Sequence, residues 1–155
     1  MAGKVLKFNN GYPGQVSRSV DDIIESIASG EATNPILFGA PVALSSGAVV
    51  NVDGDHTAVI GVAVRSIKTE NTYAQGDAKY NAKEMVDVLK RGTICMEVPH
   101  ALSPAAGGTV YITKATGKLA VAADSTNTIE MAGWKFKGAK DENDIVEVVI
   151  TERAF

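Results

Sequence analysis

The stretch Ile145-Val146-Glu147-Val148-Val149-Ile150-Thr151 decides the fold class. Successive side chains of an extended chain point to opposite faces. Val146, Val148 and Ile150 therefore share one face, and Ile145, Glu147, Val149 and Thr151 share the other. The first face is wholly apolar and the second is mixed, which is the pattern of a strand with one side in a core. Asp141-Glu142-Asn143-Asp144 precedes it, a cluster of residues that favour turns.

Working back from this strand, the same reading repeats. Segments 36–44, 48–52, 58–67, 85–98, 109–114, 118–122 and 128–137 are rich in β-branched and aromatic residues. Turn formers bound them: Ser45-Ser46-Gly47, Asp53-Gly54-Asp55 and Pro104-Ala105-Ala106-Gly107-Gly108. Short strands at this spacing predict an all-β barrel or sandwich. A weak internal repeat points the same way. Gly39, Val42, Leu44, Gly47, Val49, Gly61, Val62 and Val64 match, in order, Gly107, Val110, Ile112, Gly117, Leu119, Gly133, Trp134 and Phe136.

One segment has a helical period. In 19–30, Val20, Ile23, Ile24, Ile27 and Ala28 fall at i, i+3, i+4, i+7 and i+8, between Ser19 as a cap and Gly30 as a stop. The spacing predicts a short helix there. Residues 1–18 read as an extended N-terminal arm, because Asn9-Asn10-Gly11-Tyr12-Pro13-Gly14 concentrates turn formers and the segment is poor in aliphatic side chains. Residues 19–155 form one domain. A polar stretch, 70–83, interrupts the strands and carries Tyr73 and Tyr80, read as exposed interface residues.

Composition narrows the function classes. With 155 residues, the chain can bury roughly 70% of its unfolded surface as one domain, without disulfide or metal. Cys95 is the single cysteine. Apolar runs are too short for a membrane-spanning helix, and no apolar leader follows Met1, which predicts synthesis in the cytoplasm. The net charge of −3 gives no basic footprint for nucleic acid. The charge is uneven, however. Residues 1–20 hold Lys4, Lys7 and Arg18 with no acid, and all 18 acids lie beyond them. A basic arm on an acidic body suits docking onto an acidic protein surface.

No pattern specifies catalysis, a cofactor or a metal. His56, Cys95 and His100 lack zinc-ligand spacing, and a buried thiol with two surface histidines is the expectation. Asp53-Gly54-Asp55 lacks the alternating ligands of a calcium loop. Asp21, Asp22 and Glu25 read as a solvated face. Gly117-Lys118 lacks the upstream glycine of a phosphate loop, and Lys114–Lys118 lacks the small or methionine neighbours of a carrier-domain lysine.

Asn10-Gly11-Tyr12-Pro13-Gly14-Gln15-Val16-Ser17-Arg18-Ser19 resembles the N-terminal signature of the structural cement (capsid decoration) proteins of tailed bacteriophages. Phe38-Gly39-Ala40-Pro41-Val42, then 61–65, 85–92 and 106–112, follow in the family's order, as do Trp134 and 145–150. The resemblance covers nearly the whole chain. It implies a virion protein that binds the outer surface of the expanded head and clamps neighbouring major capsid subunits. It also implies a homotrimer, with a dimer at two-fold joints as the alternative, and it favours strand over helix at 19–30. Expected capsid contacts are Lys7, Tyr12, Pro13, Arg18, Tyr73 and Tyr80. A tail or fibre protein that binds host glycans is the competing reading, and it requires an exposed aromatic platform.

Overall fold

The computed structural model describes residues 9–66 and 79–152, and these contain strands and turns with no helix. The strands are β1 (Val16–Ala28), β2 (Ile36–Leu37), β3 (Pro41–Ser45), β4 (Ala48–Asn51), β5 (Val59–Ala63), β6 (Lys79–Tyr80), β7 (Met85–Glu97), β8 (Thr109–Thr113), β9 (Leu119–Ala120), β10 (Thr128–Phe136) and β11 (Ile145–Ile150). The all-β expectation holds. The main antiparallel sheet runs β4-β3-β5-β7-β11-β10-β8-β9 and curls into a half-barrel, with β1 added along β7. β2 and β6 form a separate two-stranded ribbon.

This order reads the same from either end. β3 pairs with both β4 and β5, and β8 pairs with both β9 and β10. β5 then pairs with β7, and β10 with β11, while β7 and β11 pair at the centre. The internal repeat is therefore structural: each copy is a hairpin whose first strand also carries the third.

The strands on the β3–β7 side are buried on both faces, which explains their nearly continuous apolar runs. Ala43, Val62 and Leu89 point into the main core with Ile112, Trp134 and Val148. Their neighbours Val42, Ala63 and Val88 point the other way, into a second cluster closed by Ile36, Phe38 and Tyr80. The 36–44 segment is thus two strands, since Gly39 turns the chain between β2 and β3. On β11 the faces fall as the alternation requires, with Val146, Val148 and Ile150 in the core.

The helical expectation at 19–30 fails. Residues 19–28 belong to β1, which pairs antiparallel with β7, from Ile24 opposite Leu89 to Ala28 opposite Met85. A segment this short gains little from helical propensity, whereas backbone pairing to a long central strand satisfies the polar groups of its β7-facing side. The apparent 3.6-residue period arises because β1 is irregular. It advances from Arg18 to Ile23 while β7 moves only from Thr93 to Arg91. The surplus bulges over Gly92, where the Asp22 carboxylate packs against the glycine.

Candidate functional site

From residue 9 onward the segment read as the arm is stitched to the sheet. The Gly14 N–H donates to the Cys95 carbonyl (2.8 Å), the Cys95 N–H to Gln15 O (2.9 Å), and the Arg65 N–H to Gly14 O (2.7 Å). The arm thereby ties the C-terminal half of β7 to the end of β5. Asn10 fastens the other end. Its N–H donates to Asp141 Oδ2 (2.8 Å), and its side-chain amide to Ile145 O (2.7 Å) and Ala139 O (3.2 Å). The Cys95 thiol donates to Asn10 O (3.2 Å), and β1 begins at Val16, inside the segment read as the arm.

Between these anchors the chain makes a tight turn. The Gln15 N–H donates to Tyr12 O (3.0 Å), and the Tyr12 N–H to Gln15 Oε1 (3.1 Å). Tyr12 is pushed outward and is 65% exposed, the most exposed large apolar side chain among the described residues. The Arg65 guanidinium lies 5.2 Å from its ring centre and 5.7 Å from that of Phe38. One cation held against two rings favours this outward orientation of the tyrosine. Pro13 is half-buried beside Gly39, and Arg18 is exposed on β1.

Of the other expected contact residues, Lys7 and Tyr73 lie outside the described residues. Tyr80 is described, and the expectation of an exposed ring is wrong. It is 3% exposed, meets the Phe38 ring edge-on at 5.1 Å, and its hydroxyl donates to Val64 O (2.6 Å). Burial pushes its pKa up to about 12. The pairing of β6 with β2 draws it inward. The arginine at the centre of the site, Arg65, was missed. It stood in a quoted segment, but no local spacing ties it to Tyr12 or Phe38.

The remaining polar chains are dispersed. Cys95 is buried, and burial pushes its thiol up to about 11. His56 sits 2.9 Å from Asp53, and exposed His100 3.0 Å from Asp144. Lys140 also bonds Asp144 (2.7 Å), and these partners hold that carboxyl below its ordinary range. Among the described residues, no three His, Cys, Asp or Glu side chains gather as a metal group. A half-open cleft of about 450 Å³ lies between the start of β5 and β10, lined by Ile60, Ile129, Met131, Trp134, Glu130 and Glu152. Trp134 is 3% exposed, so it offers no platform for a sugar ring.

Comparison with known proteins agrees with this fold. No curated protein matches the sequence. A solved chain in the capsid of Myoviridae phage XM1 superposes with a TM-score of 0.79 at 19% identity, over 99% of this chain and 98% of that one. The model of the structural cement proteins (E217 gp24/Pam3 gp6) matches residues 5–151. With its motifs, barrel and nearly full-length match in accord, the chain belongs to the phage structural cement protein family, and its role is a capsid-associated structural one in the virion.

Proposed function

We propose that the chain binds the outer surface of the expanded head as a homotrimer and clamps neighbouring major capsid subunits, with Tyr12, Pro13, Arg65 and Arg18 against the lattice. The observation that carries this reading is the outward-facing Tyr12–Arg65 pair on a segment bonded at both ends. Tyrosine and arginine dominate interface hot spots. Anchors that are already ordered before binding lose less entropy on docking.

The mechanism needs no chemistry. A head filled with DNA is under outward pressure, and failure begins at joints between capsid subunits. A protein that binds only the expanded lattice stabilises it by mass action. Three linked copies hold several subunits at once, so modest contacts combine through effective concentration.

The test is decoration of expanded heads, read by electron microscopy. Deleting residues 1–18 is unsuitable, because β1 and the Gly14 bonds belong to the barrel. Point variants serve instead. Tyr12→Ala and Arg18→Ala should fold normally and lose occupancy on the capsid faces. Full occupancy by both variants would refute the contact assignment, and wild-type density on the tail instead of the head would refute the function. No specific observation favours the glycan-binding alternative, since the tryptophan it needs is in the core.

A further inference from the structure

The outer edge of β1 is open. Ser29 donates its N–H toward β7, to Glu84 O (2.8 Å), while Gly30 donates away from β7, to Val49 O (2.7 Å). Backbone groups alternate sides along a strand. The N–H groups of Ile24, Ser26 and Ala28 and the C=O groups of Ile24 and Ser26 therefore point away from β7, and no other strand of the described residues pairs with them; the parallel bridge of Ser29 with Val49 engages the edge only at the Ala28 carbonyl. From the Ala28 carbonyl on, the edge is covered by β4; before it, the outward groups from Ile23 to the Ala28 N–H are bare. Ile24 is 47% exposed, and Met85, opposite Ala28 on β7, is 57% exposed.

Natural proteins protect such edges with lysine, proline or a covering segment. This one has no proline and no lysine on β1, and it leaves an isoleucine in the open. It is also acidic. Residues 21–28 with 85–91 carry Asp21, Asp22, Glu25 and Asp87 against Lys90 and Arg91. Pairing the edge with itself across a two-fold axis would set these acids side by side, which disfavours a symmetric β1–β1 contact.

The chain itself contains a complementary strand. Residues 1–8 hold Lys4, Val5, Leu6, Lys7 and Phe8 and no acid. At about 3.3 Å per residue, eight residues reach roughly 26 Å, enough to lie along a six-residue edge. We infer that the β1 edge, Ile23–Ala28, receives the N-terminal segment of a second copy as an added strand, and that this exchange joins the subunits of the oligomer. The period of two sets Leu6 and Phe8 toward the Ile24 and Met85 face, and Lys7 adds a cation beside an edge whose acids outnumber its bases. The contact is head-to-tail: one copy gives its segment and another gives its edge. Such contacts close into rings, three copies among them. The inference rests on the homotrimer reading above and assigns its joint.

The test is light-scattering mass of the purified full chain and its variants. Wild type should have the mass of three chains. Ala28→Pro removes an outward N–H without touching the bonds to β7, and Ile24→Lys replaces the exposed isoleucine with a charge. Each should shift the mass to one chain with the β-sheet circular dichroism unchanged, as should removal of residues 1–8. A Leu6→Cys, Ser26→Cys double variant should form disulfides between chains, since Cys95 is buried. A trimer that survives the edge variants and the truncation, or disulfides formed only within one chain, would overturn the assignment alone. A monomeric wild type would overturn the homotrimer reading and the assignment with it.

Discussion

Gly14 and Gly39 limit each other sterically. Each has a φ of +77°, a Cβ on Gly14 would stand 2.7 Å from the Gly39 nitrogen, and one on Gly39 would stand 2.6 Å from the Gly14 nitrogen. The two glycines let the N-terminal segment pass directly against the turn before β3. The Gly14 carbonyl can then take the Arg65 N–H, which brings Arg65 under Tyr12. Two short motifs far apart in the chain are thus one contact.

Substituting either glycine with alanine should destabilise the barrel by about 2 kcal/mol or more, through left-handed strain and a backbone clash together. The double variant should cost less than the two single losses added, because both act on one contact. Urea denaturation of the three variants measures this. A stability change below about 0.5 kcal/mol for either single variant would refute the close approach.

Tyr80→Phe should lower stability by about 1–2 kcal/mol, because it leaves the Val64 carbonyl without the buried hydroxyl that bonds it. The pH dependence has a definite sign. The folded-state pKa of Tyr80 is raised to about 12 from an ordinary value of 10.0. Its contribution is therefore complete below pH 10 and is lost as pH rises through about 12. Melting curves from pH 9 to 12 should show the wild type losing stability more steeply than Tyr80→Phe.

Lys90 is 3% exposed, and its ammonium lies 2.5 Å from Glu25, which is partly exposed on β1. Lys90→Met should leave stability within about 1 kcal/mol, since removing a buried charge avoids its desolvation. Glu25→Gln should cost about 1–2 kcal/mol, because it removes the opposite charge beside a buried ammonium, and solvent reaching the site limits the loss. Chemical denaturation of the two variants separates these effects. An equal loss in both would refute the asymmetry.

Asp144 has a φ of +62° and accepts from both Lys140 and His100. With its pKa lowered from 3.8, its contribution is present above about pH 4 and is lost as pH falls through the folded value. Asp144→Asn keeps a residue that tolerates the left-handed backbone. It should flatten the acid limb of the melting temperature between pH 5 and 2.5, and an unchanged limb would remove Asp144 from the acid response.

The thiol of Cys95, pushed up to about 11 by burial, stays protonated at neutral pH. A thiol reagent at pH 8 should leave the native protein unlabelled and label one site per chain in denaturant. Rapid native labelling would show that the arm over Cys95 opens readily.

Local pattern was enough for the strands. The alternation in 145–151, the turn clusters and the repeat of glycine-bounded hairpins each depend on residues within a few positions, and burial followed them. The sequence also located the N-terminal signature and the cement family, whose motifs are short and ordered. It misread 19–30, because a bulged strand scatters its apolar residues in a spacing that mimics a helix turn. Tyr80 was misplaced for a related reason: two residues of β6 are too few to show a period, and only the pairing with β2 turns the ring inward. Three things were decided by tertiary structure alone: the seating of Arg65 between Tyr12 and Phe38, the meeting of Gly14 with Gly39, and the bare edge of β1. Each depends on which strands become neighbours once the sheet curls. Periodicity along a chain assigns a side chain to a face; only closure of the sheet determines what lies across from it.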